Sequence, residues 1–390
     1  MTGPDSTDIV RRQDTAYLGL KDVSVEYVLS EAELNRRLKT VKQQMSERSL
    51  ECLLLPSTPG QPSDGAYVSG HYPWARQAWV VVRIDAAEPA LLTTMQSEAH
   101  WADELAWDLR VEYSAQEELE SHLFDLLGSP NTRVGISRVQ SLVPPRLLEQ
   151  LSNRCSSPPL DVTDMMERIR SIKSPAEVIQ LDSAAALARS TLEQLVSVQS
   201  GSGRTLRESE LFAEAERLVK ASGALRTHFL TSDGGFLRPP RFERSTSPAG
   251  QLLSLEFADR AGYWVEVGTT VAVDPRAPAM QALAVVQEAL EDIRALLRPG
   301  QSSKAAAQSF AESVKGTRWS QGIWLGHGIG IDISEPPFIT STADHELREG
   351  MVIAVHPHVV DPSGETGAYL SRTLVVENER TRVLGYDDDL

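Results

Sequence analysis

The chain has 390 residues and a formal net charge of −16, with 41% apolar and 24% charged side chains. This length allows two or three domains, and the residue balance is typical of a globular protein. Such an acidic chain excludes a general basic surface for nucleic acid, although it leaves room for a local basic pocket. No stretch reaches the ~20 apolar residues of a membrane helix, so we expect no membrane partner.

The two cysteines, Cys52 and Cys155, lie far apart in the sequence. This spacing predicts neither a disulfide framework nor a thiolate metal site, and it is typical of a reducing compartment. The first residues are polar and carry no apolar signal core. We therefore expect a cytoplasmic protein with a loose N-terminal segment at residues 1–20.

The first half of the chain alternates predicted helices and strands. A helix is predicted over residues 31–48, where Ser30 is a good N-cap and Glu33 stands at the capping-box spacing. Short apolar runs then predict strands, with one further helix among them. The predicted strands cover 52–56, 77–83, 89–94 and 132–136, and the helix covers 117–127. This alternation indicates an α/β domain, which we assign to residues 21–160.

The second half opens with the clearest helix start of the chain. Ser174, Pro175 and Glu177 supply an N-cap, a proline at the first helical position and a capping-box acid. Two further helices are predicted over 208–221 and 277–297. Strands are predicted over 252–257, 264–273, 351–355 and 371–376. Helices mixed with antiparallel-looking strands indicate an α+β domain, which we assign to residues 161–390.

Three glycines surround His327 in the segment 326–330, which reads GHGIG. Glycine tolerates positive φ and close backbone approach, so the segment predicts a tight turn with an accessible imidazole. The following Glu335-Pro336-Pro337 indicates an extended exit, because proline cannot continue a helix. A Gly-rich surface turn would give the same pattern, but this mounting is typical of a site histidine.

Three blocks, in order, resemble one known family. They are residues 168–178 (RIRSIKSPAEV), residues 326–336 and residues 350–355 (GMVIAV). Together they are similar to the catalytic domain of creatinases, prolidases and aminopeptidase P, and residues 67–70 (YVSG) have a counterpart in the smaller domain of that family. The resemblance implies an α+β pita-bread C-terminal domain, preceded by a smaller α/β creatinase-type N-terminal domain. It also implies a homodimer.

The peptidases of this family hold two divalent ions with two Asp, one His and two Glu. By the resemblance, the five positions are occupied here by Glu256, Glu266, His327, His356 and Ser371, so only the histidine is unchanged. A serine hydroxyl is a poor bridge between two cations. Each change from Asp to Glu also moves a carboxylate outward by one methylene, which disturbs a dinuclear geometry. The resemblance therefore does not extend to a standard dinuclear centre.

Two interpretations of this altered centre stay open, and we favour a metal-free one with no cofactor. In it, as in creatinase, His327 carries the proton and His356 is a second acid or base. Glu266 or Glu256 orients the His327 imidazole and holds a cationic or amide-bearing substrate. In the alternative, Glu256, Glu266, His327 and His356 together hold one divalent ion, which is Zn, Mn or Fe.

Further residues are predicted to bind substrate. Those near the motif blocks are Ser334, Glu335, His358, Ser371 and Arg372. Arg76 and Tyr72 belong to the smaller domain, which in the family can reach the site of a neighbouring subunit. Arginine offers bidentate geometry to a substrate carboxylate, and this favours such a role for Arg76.

These observations predict a creatinase-like, metal-independent hydrolase or lyase acting on a C–N bond of a small amino-acid-like or guanidino compound. The alternative is a metallohydrolase like an Xaa-Pro aminopeptidase or prolidase, with a rebuilt mononuclear site. A third hypothesis is a catalytically inactive relative that keeps the fold for binding. The expected partner in the first two is a small-molecule substrate.

Overall fold

The computed structural model describes residues 30–105, 109–155, 157–201, 205–378 and 381–386. The predicted loose segment at residues 1–20 lies outside this part of the chain. The chain divides into two compact units and passes from the first to the second between Arg170 and Ser171. The domain boundary predicted after residue 160 lies shortly before this point. Within the described residues, no helix is long and apolar enough to cross a bilayer.

The first unit contains a six-stranded mixed sheet. Its strands are β1 (Cys52–Ser57), β2 (Ala78–Arg83), β3 (Ala90–Thr93), β4 (Arg110–Tyr113), β5 (Val134–Ile136) and β6 (Leu160–Asp161). Their order is β4-β3-β2-β1-β5-β6, with β1 antiparallel to β2 and parallel to β5. The helices are α1 (Glu31–Glu47), α2 (Ser63–Ser69), α3 (Gln96–Leu105), α4 (Leu119–Leu127), α5 (Val139–Leu142), α6 (Pro145–Arg154) and α7 (Thr163–Ser171), which leads into the second unit.

The predicted start of α1 is confirmed, because the backbone N–H of Glu33 donates to the Ser30 hydroxyl over 3.3 Å. The apolar runs that predicted strands form the centre of this sheet. Leu54, Trp79 and Leu92 are fully buried there in one apolar cluster with side chains of α4 and α6. The α/β architecture predicted for the first half is therefore confirmed.

The second unit is built from four helices and eleven strands among its described residues. The helices are α8 (Pro175–Gly201), α9 (Glu208–Ala221), α10 (Pro278–Leu296) and α11 (Ser303–Val314). The first strands are β7 (Arg226–Ser232), β8 (Gln251–Ala258), β9 (Trp264–Val271), β10 (Ser320–Gln321), β11 (Gly326–Gly328) and β12 (Glu335–Ile339). The others are β13 (Val352–Val355), β14 (His358–Val360), β15 (Gly367–Tyr369), β16 (Arg372–Val376) and β17 (Thr381–Val383).

These strands form three antiparallel sheets, with the orders β7-β8-β9, β12-β11-β13-β16-β17 and β10-β14-β15. A bridge between Gly268 and Ser371 links β9 to the segment that enters β16. The predicted capping box of α8 is confirmed, because Ser174 N–H donates to Glu177 Oε2 over 2.8 Å and Glu177 N–H donates to Ser174 Oγ over 3.2 Å. This α+β arrangement is the one predicted for the second half.

Candidate active site

Strand alternation brings two candidate residues to one face of the five-stranded sheet. In β13, Ile353 and Val355 pack into the apolar cluster that includes side chains of α10 and α11. Successive side chains of a strand alternate, so Ala354 and the following His356 point the other way. His327 in β11 is directly opposite Ala354, and opposed residues share a face. His327 and His356 therefore lie on the same face, away from the apolar cluster.

His327 lies in the short strand β11, so the predicted tight turn is wrong. Both flanking glycines are needed for close packing, because a Cβ at Gly326 would overlap the Ala354 carbonyl and one at Gly328 would overlap the Pro336 carbonyl. The His327 Nδ1–H donates to the Gly328 carbonyl over 3.0 Å. A neutral imidazole has one N–H, so this bond leaves Nε2 with a free lone pair.

Glu266 in β9 is the buried carboxylate of the site, with 4% of its surface exposed. Its Oε1 accepts hydrogen bonds from the Tyr369 hydroxyl over 2.5 Å and from the Ser371 hydroxyl over 2.6 Å. Its Oε2 lies 3.6 Å from Nε2 of His327. Burial raises the pKa of Glu266, but the facing His356 and His327 rings and the two hydroxyls outweigh it and lower the pKa overall. The side chain is therefore an anion near neutral pH.

His356 follows β13 and is also buried. Its Nδ1 has no hydrogen-bond partner among the described residues. Its ring centroid lies 5.4 Å from that of His327 and 6.3 Å from that of Tyr369. Burial lowers the pKa of His356; Glu266 opposes this and His327 reinforces it, and the result lies below the usual value. The ring is therefore neutral near pH 7, which is the form that binds metals.

Glu266, His327 and His356 each contribute one ligand atom to a group whose members lie within 4.8 Å of one another. Two imidazoles and one carboxylate are the protein ligands of many catalytic zinc sites and of mononuclear iron sites. An unpartnered buried nitrogen is unfavourable, and a cation would satisfy it. The group therefore fits one divalent ion. Glu256, the fourth ligand predicted for such an ion, is not a member of it.

Glu256 in β8 stands directly opposite Glu266 in the antiparallel pair, so the two side chains share a face. Its Oε2 lies 3.7 Å from Nδ1 of His228, and its Oε1 accepts a hydrogen bond from Ser254 over 3.4 Å. Burial raises the pKa of Glu256; His228 opposes this shift and Glu266 adds to it. The His228 side chain is 54% exposed. His228, Glu256 and Glu266 thus form a row of three titratable groups from the solvent to the buried centre.

The indole of Trp324 forms an aromatic wall of the site. Its ring centroid lies 5.0 Å from that of His327 in a stacked arrangement and 5.8 Å from that of His356, edge-on. Phe338 lies behind it at 6.0 Å. Trp324 is nevertheless 41% exposed. It therefore covers both imidazoles and also presents apolar surface to any molecule that approaches them.

Several residues predicted to bind substrate make other contacts. Glu335 is buried in an ion pair with Lys173, with 2.5 Å between Oε1 and Nζ. His358 donates from Nε2 to the Gly235 carbonyl over 2.6 Å, and burial lowers the pKa of His358 to about 4. Arg372 donates to the backbone carbonyls of Gly268 and Ser371. The others are Ser334, which is exposed, and in the first unit Arg76, which is exposed, and Tyr72, which is half-buried. Contact of any of them with a substrate stays a prediction.

Tyr369 and His228 are site residues to which no role was assigned from the sequence. Tyr369 is two residues before Ser371, so an extended chain puts both on one face, and this spacing was a usable signal. His228 faces Glu256 only because β7 pairs with β8 in the observed register. No local pattern in β7 indicates that partner.

The fold and the site together define a two-unit protein with a buried centre of imidazole and carboxylate groups. Residues 37–172 match the creatinase/prolidase N-terminal domain, and residues 180–378 match metallopeptidase family M24. The chain belongs to metallopeptidase family M24. It is therefore a hydrolase that acts on C–N bonds.

Similar proteins share this two-domain fold. The chain is 23% identical over 346 residues to an Xaa-Pro dipeptidase of Pyrococcus horikoshii, covering 84% of this chain and 91% of that protein. The crystal structure of the prolidase from Pyrococcus horikoshii OT3 matches with a TM-score of 0.74 at 19% identity, covering 91% and 99% of the two chains. The N-terminal domain of FACT complex subunit SPT16 from Cicer arietinum matches with a TM-score of 0.70 at 16% identity, covering 92% and 97%. The predicted fold, a creatinase-type N-terminal domain followed by a pita-bread domain, is confirmed.

Two sequence-based expectations are wrong. The centre was expected to be metal-independent and creatinase-like, and no cofactor was expected. The family is one of metallopeptidases, the relative above is named an Xaa-Pro dipeptidase, and the buried group of Glu266, His327 and His356 suits a divalent ion. The loss of the dinuclear ligand set was given more weight than the donor quality of the new side chains, which the alternative interpretation had used.

Proposed function

We propose that this protein is a metal-dependent hydrolase of short peptides with an Xaa-Pro bond, and that it uses a single divalent cation. One observation carries the proposal: three buried donors converge within 4.8 Å, and one of them, His356, has an unpartnered ring nitrogen. The names of the relatives support the substrate class.

Glu266, His327 and His356 would hold the cation. When bound, a divalent ion acts as a Lewis acid toward an amide carbonyl and a water molecule. The side chains prepare the site for it. Glu266 supplies a full negative charge, and the bond from Nδ1 of His327 to the Gly328 carbonyl leaves Nε2 free to bind. A hydrogen bond on the far nitrogen also fixes the ring orientation.

Glu256 is the residue that we assign to proton transfer. Hydrolysis of an amide requires removal of a proton from the attacking water and delivery of a proton to the departing amine. The Glu256 carboxyl shares a face with Glu266 but stands outside the group of metal donors. His228 contacts it at 3.7 Å and has 54% of its side chain exposed to solvent.

Trp324 is the residue that we assign to substrate fit. Its partly exposed indole covers the imidazoles of His327 and His356. A pyrrolidine ring is compact and apolar, and it would pack on this surface with loss of water from both. The peptide is then a small-molecule partner. The homodimer and the cytoplasmic location stay predictions.

Hydrolysis of Ala-Pro by metal-stripped protein, with and without added Zn²⁺ or Mn²⁺, tests the proposal. Ala-Ala serves as the matched dipeptide without proline. We expect cleavage of Ala-Pro only after metal is returned, and little cleavage of Ala-Ala. Full activity in the stripped protein would overturn the metal requirement. A protein that binds metal but cleaves neither dipeptide would overturn the assignment and favour the binding role.

Glu266→Gln provides the matched change at the site, because it removes the charge and keeps the size. Its control is Glu208→Gln, which alters another buried carboxylate, bonded to Arg238 over 2.7 Å. We expect both variants to be less stable and only Glu266→Gln to lose the response to metal. Equal metal-dependent activity in both would contradict the ligand assignment.

A further inference from the structure

The carboxylate of Glu266 is bound asymmetrically. Both short hydrogen bonds, from Tyr369 and from Ser371, reach the same oxygen, Oε1. The other oxygen, Oε2, is the one that lies 3.6 Å from Nε2 of His327. An oxygen that already accepts two short hydrogen bonds has little capacity left for a cation. The hydroxyls therefore leave one oxygen of Glu266 to face the imidazoles.

A series of hydrogen bonds between β9 and residues 369–373 holds the two hydroxyls in place. Gly268 and Ser371 exchange two backbone hydrogen bonds, of 3.1 and 3.2 Å. Thr270 Oγ1 bonds both the N–H and the carbonyl of Tyr369, and Thr373 Oγ1 bonds both those groups of Glu266. Five consecutive residues are thereby fixed against the strand that carries the carboxylate.

Glycine at position 268 is part of this arrangement. A Cβ at Gly268 would overlap the ring of Tyr369. The ring of Tyr369 therefore occupies the space beside Gly268, and its hydroxyl donates to Glu266. It also stacks near the ring of His356, with 6.3 Å between centroids and 21° between planes. One buried side chain thus contacts two of the three donors.

We propose that Tyr369 and Ser371 are positioning residues that hold Glu266 so that it offers one oxygen to one ion. By the resemblance, the peptidases of the family have a glutamate that bridges two ions at the position of Ser371. Here the Ser371 hydroxyl donates to the carboxylate of Glu266 instead of binding metal. The inference rests on the proposed function in that the group binds one divalent cation. It goes further in assigning the role of the two hydroxyls.

The test is the affinity of the full-length protein for Zn²⁺, measured by competition with a chromophoric chelator. The variants are Tyr369→Phe, which keeps the ring, and Ser371→Ala. Tyr263→Phe is the matched control, because its buried hydroxyl donates to Glu177 over 2.7 Å away from the metal donors. We expect wild type to bind one Zn²⁺, and each hydroxyl variant to bind it about 10- to 100-fold more weakly. The control should match wild type in affinity.

The absorption spectrum of the Co²⁺-loaded protein gives a second readout that a general loss of stability does not change. Coordination geometry determines this spectrum, so it should change in both hydroxyl variants and not in Tyr263→Phe. Wild-type affinity and spectrum in Tyr369→Phe and Ser371→Ala would overturn the inference while leaving the proposed function intact. Binding of two Zn²⁺ by wild type would overturn both the inference and the single cation of the proposed function. Single, hydroxyl-dependent Zn²⁺ binding without cleavage of Ala-Pro would instead support the inference and overturn the proposed function.

Discussion

His356 and His358 lie two residues apart, and their replacement by alanine should have different effects on stabilisation of the protein by Zn²⁺. Both rings have a buried Nδ1 without a hydrogen-bond partner among the described residues, but only His356 belongs to the group of metal donors. His358 donates to the Gly235 carbonyl and lies between the rings of Phe236 and Tyr369. We predict that His356→Ala removes most of the stabilisation by Zn²⁺ and that His358→Ala leaves it intact.

The expected size of the effect follows from linkage. A ligand at 100 times its Kd adds about 2.7 kcal/mol to the free energy of unfolding. For a unit of about 150–250 residues this raises Tm by roughly 5–11 °C. A ~100-fold loss of affinity in His356→Ala leaves only about 0.4 kcal/mol at the same Zn²⁺ concentration, or roughly 1–2 °C.

The His358→Ala variant should lose stability in the absence of metal. It removes a buried hydrogen bond and the ring contacts, which together cost about 2–4 kcal/mol. Its Zn²⁺-induced rise in Tm should still equal that of wild type. Differential scanning calorimetry at several Zn²⁺ concentrations measures both quantities. An undiminished Zn²⁺ response in His356→Ala would refute the ligand assignment, as would loss of the response in His358→Ala alone.

Three further predictions concern substrate fit, pH dependence and thiol reactivity. Trp324→Ala should raise the KM for Ala-Pro by roughly 10-fold with a smaller change in kcat, because it removes apolar contact surface. Trp101→Ala changes an exposed tryptophan of the first unit and should leave KM and kcat unchanged in the same steady-state assays. Burial raises the pKa of Asp259 from 3.8 to about 6, so the native state holds this proton more tightly and the resulting stability, full below about pH 4, is lost as pH rises through 6. Relative to Asp259→Asn, wild type should therefore lose up to about 3 kcal/mol of unfolding free energy between pH 4 and pH 7 in urea titrations, and parallel profiles of the two proteins would contradict this. Burial raises the pKa of Cys52 to about 12, so its thiol should resist a thiol reagent at pH 8 until denaturant is added.

Local sequence signals were sufficient to predict most of the helices and strands. The Ser174 cap and the helix predicted over 277–297 depend on neighbouring residues only, and the structure contains both. Chain order and motif spacing also identified Glu266, His327 and His356, which the structure brings together. These signals are readable because helix caps and strand periods are short-range properties of the chain.

The parts that could not be predicted depend on pairing between distant segments. Tyr369 reaches Glu266 only because residues 369–373 dock on β9, and Lys173 meets Glu335 only in the folded unit. The metal centre was misjudged for a related reason. Residue identities at five positions showed what had been lost, whereas the distances between side chains show that three donors still converge.

The most direct test of the central claim is a titration of metal-stripped protein with Zn²⁺, followed by both elemental analysis and the rate of Ala-Pro hydrolysis. The account predicts that activity rises in proportion to bound Zn²⁺ and reaches its plateau at one equivalent per chain. His327→Ala should bind less than one equivalent and remain inactive throughout. Full activity before any metal is added, or a plateau that requires two equivalents, would contradict the single-ion centre.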